Sequence, residues 1–290
     1  MEKRVKVSVL TANFNKSEYL RDYFESIIHS NYDNLEVIFV DDCSSDNSIQ
    51  IANEFVDKLN LHIILLEQNV GFSNALNIGL ERCRGKYIMR LDSDDFIAKG
   101  RIDYHCSFLE QNPNIDVVGS NTYYYNQNLQ RAVFTSNFPT QHSEIKKSFS
   151  DGLIAVSHPG VTLKADFFKQ FKYNQSVFPF EEYDIFSRMI IEGGFFHNLS
   201  EPLTYYRQYR QNSSYKHIKH RLIGINELRQ KYFHKSTPML WIWLRTFHEY
   251  FYRKGLSARS VVQMRVLFLL SSLFAPKTIV KRLFTPYKNK

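Results

Sequence analysis

The chain has 290 residues, which suits one large domain or one domain with a substantial appendage. Its composition, 43% hydrophobic and 23% charged, excludes a wholly disordered protein. Its three cysteines have no paired spacing, which argues against a disulfide framework and a common zinc site. The net charge of +8 is uneven: residues 1–205 carry 19 Lys and Arg against 27 Asp and Glu, whereas residues 206–290 carry 18 against 2.

Strand and helix patterns alternate along the first 120 residues. The predicted strands end near Thr11, Val40, Leu66 and Leu91, the predicted helices occupy 19–28, 44–59, 71–83 and 101–111, and a further strand lies near 116–119. The second of these helices has Ser44 and Ser45 as candidate caps and an apolar face of Ile49, Ala52, Val56 and Leu59. This alternation predicts an α/β fold with a mostly parallel sheet and helices on both faces.

Two acidic clusters, Asp41-Asp42 and Asp92-Ser-Asp-Asp95, follow predicted strands directly. Ligands of such sheets bind beyond the carboxyl ends of the strands. Asp92 and Asp94, two residues apart at a strand end, can face one Mg²⁺ or Mn²⁺ ion. The Asp41-Asp42 cluster can accept a hydrogen bond from the N–H of a base or from ribose hydroxyls at the sheet edge. The alternative for both clusters is a polar turn that caps a helix.

A set of ordered segments carries a family resemblance. The segments are 7–15, 19–20, 26–27, 36–48, 69–79 and 85–95. Together they resemble the inverting family-2 nucleotide-sugar glycosyltransferases, which have the GT-A fold, and the resemblance covers about residues 5–210. The Arg90-x-Asp92-x-Asp94-Asp95 variant is similar to bacterial enzymes of O-antigen, capsule and exopolysaccharide assembly.

The resemblance implies a nucleotide site with a divalent cation, Mn²⁺ or Mg²⁺. Asp92 and Asp94 correspond to the D-x-D pair of the family, with Asp95 close by as a third candidate metal ligand. Ala12 stands where the family usually has Pro. The implied nucleotide-binding set is Thr11, Ala12, Asn13, Asp42, Arg90, Asp92 and Ser93.

The segment Glu181-Glu182-Tyr-Asp184 resembles the E-D-Y-D segment of the family, in which the Asp is the general base. Glu182 takes that position here, with Glu181 beside it. The chemistry needs a base because an attacking sugar hydroxyl sheds its proton as the new bond forms. A single displacement inverts the anomeric centre, so a UDP-α-sugar gives a β-linkage. The alternative is a solvated helix start, where acidic residues are favourable.

Several further residues are candidates for the acceptor and diphosphate side. Tyr209 stands where the family has a His in its Y-R-x-H segment, so Arg207 or Arg210 is a candidate diphosphate contact instead. Arg101 flanks the acidic motif and either orients phosphates or makes a structural ion pair. His158 lies in a loop that lines the acceptor side in the family, and a structural role is its alternative.

We expect a catalytic domain at 1–210, with a nucleotide-sugar half at about 1–120 and an acceptor half at about 120–210. Residues 211–290 form a helical, basic extension in which aromatic and cationic residues interleave, a pattern typical of helices at an anionic membrane interface. A helical appendage packed on the core is the alternative, and no RNA-binding signature favours nucleic acid. No apolar leader is evident at the N-terminus, and the longest apolar stretch is too short to span a bilayer.

The sequence therefore predicts transfer of a hexose or N-acetylhexosamine, with glucose or galactose and a β-1,3 or β-1,4 link as our choice, from a UDP-sugar. The expected acceptor is a polyprenyl-diphosphate-linked intermediate of surface polysaccharide synthesis. The expected location is cytoplasmic, on the inner face of the bacterial cytoplasmic membrane. The alternatives are a rhamnosyltransferase that uses dTDP-rhamnose and a catalytically silent membrane-bound partner of the same fold.

Overall fold

The computed structural model describes residues 5–126, 132–208, 217–256 and 260–274. The chain divides into two compact units, one of residues 1–209 and one of residues 210–290. The first unit is an α/β structure, as predicted, and the second is helical in its described residues.

A single sheet runs through the first unit. Its strands are β1 (Val7–Asn13), β2 (Leu35–Asp41), β3 (Leu61–Leu65), β4 (Tyr87–Arg90), β5 (Phe96–Ile97), β6 (Val117–Asn126), β7 (Ala132–Thr135), β8 (Thr162–Lys164) and β9 (Phe196–Gln208). The strand order is β3-β2-β1-β4-β8-β6-β9-β5, and β7 pairs with β6.

Seven helices accompany these strands in the described part of the first unit. They are α1 (Leu20–Ile28), α2 (Ser48–Asn53), α3 (Phe72–Arg82), α4 (Arg101–Gln111), α5 (His142–Ser150), α6 (Ala165–Phe168) and α7 (Glu181–Ile191). Short 3₁₀ turns lie at His158–Gly160 and Gln175–Val177.

The N-terminal half of the sheet is parallel. β1 pairs in parallel with both β2 and β4, and β2 pairs in parallel with β3. Every residue of β1, β2 and β4 is buried, as is usual for parallel strands covered on both faces. Gly79 lets α3 approach closely, because a Cβ atom there would lie 2.5 Å from Leu10 Cδ1 and 2.8 Å from Val40 Cγ2.

The other half of the sheet is mixed, which the strand and helix pattern did not predict. β8 pairs antiparallel with β4 and β6, β5 pairs antiparallel with β9, and β6 pairs in parallel with β9. The short strand β5 follows the Asp92–Asp95 motif directly, and the long strand β9 pairs with it.

The predicted second helix is shorter than expected. α2 ends at Asn53, Val56 is 42% exposed, and Phe55 packs into the core instead. Neither Ser44 nor Ser45 caps α2, because the Asp46 carboxylate accepts hydrogen bonds from the Ser48 backbone N–H and hydroxyl.

The second unit contains three described helices, α8 (Ile218–Phe233), α9 (Met239–Leu256) and α10 (Val261–Leu273). An Arg221–Glu249 ion pair of 2.8 Å joins α8 to α9. The buried His248 contacts the Ser271 hydroxyl at 2.8 Å, which joins α9 to α10. Among the described residues, no helix combines the length and apolar character needed to cross a bilayer.

Candidate active site at the carboxyl ends of the strands

The ends of β1 and β2 meet at one polar junction. Asn13 and Asp41 are register partners, and the Asn13 side-chain amide donates to Asp41 Oδ2 at 2.8 Å. The Ser44 backbone N–H and hydroxyl also donate to Asp41, at 2.8 and 2.7 Å. Asp41 thus stabilises the turn after β2, whereas Asp46 accepts the hydrogen bonds at the start of α2.

Asp42 connects this junction to the loop before α3. Its buried carboxylate accepts hydrogen bonds from the backbone N–H groups of Val70 and Gly71, at 2.7 and 2.9 Å. Gly71 has a φ of +88°, a conformation that favours glycine. Asp42 therefore fixes this loop, and its contact with a nucleotide base remains a prediction.

Thr11 and Ala12, the other predicted nucleotide residues of β1, are buried within the strand. The Thr11 hydroxyl donates to the Leu91 carbonyl oxygen at 2.8 Å and lies 2.7 Å from the Tyr23 hydroxyl. Its side chain thus connects the ends of β1 and β4. The backbone contacts with a nucleotide that the resemblance implies remain a prediction.

The segment after β4 brings three carboxylates together. Asp92, Asp94 and Asp95 each offer an oxygen within 4.8 Å of the others, and Ser93 between them is buried. Asp95 is buried, one of its oxygens accepts from the Arg207 backbone N–H at 2.8 Å, and Oδ2 has no hydrogen-bond partner among the described residues. Burial, followed by repulsion from Asp94 and Asp92, raises the pKa of Asp95 well above its usual value.

This acid cluster, defined as Asp92, Asp94 and Asp95, fits a hard divalent cation. Mg²⁺ and Mn²⁺ prefer carboxylate oxygen ligands. Asp95 Oδ2 is a buried acceptor that a cation would satisfy. A positive ion would also offset the repulsion that raises the Asp95 pKa.

Arg90 and Arg101 lie beside the acid cluster but are fully buried. Arg90 forms an ion pair with Asp92, and its guanidinium lies 5.1 Å from the centre of the Phe72 ring. Arg101 donates to the Arg90 and Val161 carbonyl oxygens, at 3.2 and 3.3 Å, and burial lowers its pKa to about 9. Both side chains therefore have no exposed surface, and Arg90 is paired with Asp92; a contact of either arginine with a nucleotide or phosphate remains a prediction.

Arg207 makes structural contacts, and the diphosphate contact expected of it remains a prediction. Its side chain is 5% exposed, donates to Asp22 Oδ2 at 2.6 Å and to the Asp94 carbonyl oxygen at 3.1 Å, and lies over the Tyr19 ring. These contacts fix β9 and α1 around the acid cluster. The other two candidates of this segment, Tyr209 and Arg210, lie outside the described residues.

The two candidate catalytic carboxylates stand at the start of α7 and differ in environment. Glu181 is 7% exposed, whereas Glu182 is only partly buried. Burial and then repulsion from Glu182 raise the pKa of Glu181 to about 8, and Asp92 and Arg90 also influence it. The start of α7 thus lies within electrostatic reach of the acid cluster, with Glu182 as the carboxylate open to solvent.

His158 lies in an environment that suits a structural role, which was the alternative to lining the acceptor side. Its Nε2 lies 2.8 Å from the Tyr173 hydroxyl, and its ring packs edge-on against Phe72 and Phe186. Burial, followed by the positive charge of Arg90, lowers the pKa of His158 well below its usual value. The imidazole is therefore neutral, and a contact with the acceptor remains a prediction.

Two residues beside the acid cluster escaped the sequence reasoning. Lys16 Nζ lies 2.7 Å from Asp94 Oδ2. Tyr206 is partly buried, and desolvation followed by repulsion from the three aspartates raises the pKa of its hydroxyl well above the usual value. Lys16 lies in a polar segment without a distinctive motif, so the sequence alone does not indicate that it contacts the acid cluster. Tyr206 precedes Arg207 in the segment already singled out, which was a usable signal.

Comparisons with known proteins show which proteins the chain is similar to. The chain is 35% identical over 105 residues to the putative teichuronic acid biosynthesis glycosyltransferase TuaG of Bacillus subtilis, a match that covers 36% of this chain. The chain spans 43%, 38% and 41% of the lengths of the first three curated relatives that it matches.

Two solved structures share the fold. S. aureus TarS in complex with UDP-GlcNAc superimposes with a TM-score of 0.63 at 17% identity, covering 98% of this chain and 93% of that one. The mannosyltransferase PcManGT from Pyrobaculum calidifontis, in complex with GDP-Man and Mn²⁺, gives a TM-score of 0.64 at 13% identity, covering 97% and 84%. The expected GT-A-type fold is thereby confirmed.

The family model named Glycosyl transferase family 2 matches residues 8–171, which include the strand-end junction and the acid cluster. The match covers more than half of the 290 residues. The chain therefore belongs to glycosyl transferase family 2.

Proposed function

We propose that this chain transfers a hexose or N-acetylhexosamine, with inversion, from a nucleotide sugar to a growing bacterial surface polysaccharide. The single observation that carries the proposal is the acid cluster at the strand ends with a partly exposed carboxylate, Glu182, at the start of α7. The relatives support the pathway class, because TuaG is named for teichuronic acid biosynthesis and TarS for poly(ribitol-phosphate) N-acetylglucosaminyl transfer.

The acid cluster would hold Mn²⁺ or Mg²⁺ through Asp94 and Asp92, with Asp95 as the third oxygen donor. A cation there supplies charge stabilisation for the diphosphate of the leaving nucleotide. The buried Arg90 orients the Asp92 carboxylate through their ion pair. Asp95 connects the cluster to β9 through the Arg207 backbone.

Glu182 would act as the general base. A carboxylate that contacts solvent can reach an acceptor hydroxyl and take its proton as the hydroxyl oxygen attacks the anomeric carbon. The bond from that carbon to the diphosphate oxygen breaks on the opposite face, which inverts the centre. Glu181, with its raised pKa, would hold a proton beside Glu182 and so reduce the repulsion at this helix start.

A UDP-linked donor is our choice, because TarS binds UDP and UDP-GlcNAc. Within that class we retain glucose or galactose, joined by a β-1,3 or β-1,4 bond, as the sugars to test first. The acceptor we propose is a saccharide on a polyprenyl diphosphate. This choice places the enzyme on the inner face of the cytoplasmic membrane.

The second unit supports the membrane part of the proposal. Val262, Val266, Leu269 and Leu273 are between 52% and 73% exposed and recur on one face of α10. α9 exposes a second stripe, which comprises Leu240, Trp243, Phe247 and Tyr250. Apolar stripes in a segment with 18 cationic and 2 acidic residues are typical of helices at an anionic lipid surface.

Release of UDP from a panel of UDP-sugars, with Mn²⁺ and a synthetic lipid-linked acceptor, tests the transfer reaction. We expect one donor to be turned over, EDTA to abolish turnover, and Glu182→Gln to lower the rate by about 10²- to 10⁴-fold. Glu192→Gln is the matched control, because Glu192 is exposed at the other end of α7. It should retain the wild-type rate.

Two outcomes would contradict parts of this proposal. Turnover of dTDP-rhamnose alone would replace the UDP-sugar with the rhamnosyl alternative. A folded protein that turns over no donor, and whose Glu182→Gln variant functions normally in cells, would favour the catalytically silent partner.

A further inference from the structure

Lys16 reaches the acid cluster from the connection between β1 and α1. Its Nζ lies 2.7 Å from Asp94 Oδ2, and the two side chains are 28% and 16% exposed. We propose that the Lys16 ammonium occupies the position beside Asp94 that a bound divalent cation would take. The ammonium and the metal therefore compete for this carboxylate. The inference rests on the proposed function, since it assumes that the cluster binds a divalent cation.

The backbone on both sides of Lys16 is held in place. The Asn15 N–H donates to the Ser44 hydroxyl at 2.9 Å, and the Ser17 N–H donates to Asp46 Oδ2 at 2.9 Å. The connection between β2 and α2 therefore fixes the chain around Lys16. Release of Asp94 then requires only rotation of the long lysine side chain, without refolding of the loop.

The other cations at the cluster cannot exchange in this way. Arg90 is fully buried against Asp92, and Arg207 is 5% exposed and bonded to Asp22. Lys16 is the most exposed of these three side chains. A divalent cation that enters from solvent can therefore displace Lys16 more readily than Arg90 or Arg207.

Displacement has a consequence for the nucleotide. An ammonium and a divalent cation repel each other strongly at contact distance, so Lys16 must move when the metal binds Asp94. The released ammonium stays within one side-chain length of the cluster. A nucleoside diphosphate bound at the same cation would offer this ammonium a further anion, so metal and nucleoside diphosphate should bind cooperatively.

Equilibrium binding of Mn²⁺ to the full chain, measured by electron paramagnetic resonance with and without UDP, tests this competition. Without UDP, we expect Lys16→Met to bind Mn²⁺ about fivefold or more tightly than the wild type, because the competing charge is gone. The enhancement of Mn²⁺ affinity by UDP should shrink by a similar factor. Lys16→Arg keeps the charge and should stay within about twofold of the wild type.

Lys86→Met is the matched control. Lys86 also forms a lysine–carboxylate ion pair, with Glu110 at 2.6 Å, and its loss removes the same charge from the surface. It should leave Mn²⁺ binding unchanged. A Lys16→Met variant that binds Mn²⁺ no more tightly than the wild type would overturn the competition while leaving the metal site intact. If neither the wild type nor Lys16→Met binds Mn²⁺, the proposed metal site fails together with this inference.

Discussion

Three arginines lie beside the acid cluster, and each is buried. Arg90, Arg101 and Arg207 use their guanidinium groups on Asp92, on backbone carbonyl oxygens and on Asp22. Arg90 and Arg207 orient Asp92 and Asp22, and Arg101 bonds to the backbone instead of to a carboxylate. Asp92, Asp94 and Glu182 are partly exposed, so a substrate or metal can approach these three carboxylates.

Glu181 gives a pH-dependent test at the scale of one residue. Burial raises its pKa to about 8 in the folded chain, above its usual value of 4.5, so the native state favours the protonated form. The stabilisation from that proton is complete below the unfolded pKa and is lost as the pH rises toward 8. Glu181→Gln cannot lose this stabilisation because Gln does not ionise. The melting temperature of Glu181→Gln minus that of the wild type should therefore be at least about 2 °C larger at pH 8.5 than at pH 5.5.

Thermal unfolding of both proteins across this range provides the measurement. Glu192→Gln, at the exposed end of the same helix, should show no such trend. A constant difference between Glu181→Gln and the wild type would show that Glu181 ionises at its ordinary pKa.

At the scale of elements, β9 and α1 are joined around the acidic loop by Arg207. This side chain bonds to Asp22 on α1, while its backbone N–H bonds to Asp95. Arg207→Met should therefore destabilise the first unit by about 2 kcal/mol, because a buried charge-assisted network loses its centre. Urea unfolding measures this change.

Arg21→Met is the comparison for that variant. Arg21 pairs with Glu54 on an exposed surface, so its loss should shift the urea midpoint much less. Equal shifts for the two variants would show that Arg207 is an ordinary surface cation.

The spacing of apolar residues along the chain predicts the strands and helices of the parallel half of the sheet. Buried strands that end at Asp41 and Arg90 carry their acidic neighbours to one sheet edge, which is why the acid cluster was predictable. Arg207 and Tyr206 reach Asp95 across more than 100 residues of chain, and no local period encodes that contact. The burial of Arg90 and Arg101 was also unpredictable, since an isolated charge normally indicates surface.

At the scale of the whole molecule, charge separates along the chain. Residues 1–205 are acidic and contain the candidate site, whereas residues 206–290 carry 18 cations against 2 acidic residues. The helices α9 and α10 add exposed apolar stripes to this basic segment. This uneven distribution of charge along the chain would let an anionic membrane attract the basic segment selectively.

Vesicle sedimentation tests this surface. Leu269→Glu combined with Leu273→Glu places two charges on the exposed face of α10, and binding to vesicles with anionic lipid should weaken by at least about tenfold. Leu65→Glu is the matched control, because Leu65 is 59% exposed at the sheet edge of the first unit. Equal binding by all three proteins would remove α10 from the membrane contact.

The stereochemistry of the reaction tests the central claim most directly. Proton NMR can follow the wild type with Mn²⁺, the UDP-α-sugar panel and the lipid-linked acceptor, and report the configuration of the first anomeric product. A single displacement assisted by Glu182 should give the β-anomer. A first product that retains the α-configuration, or a folded enzyme that consumes no UDP-sugar, would contradict inverting transfer from a UDP-sugar.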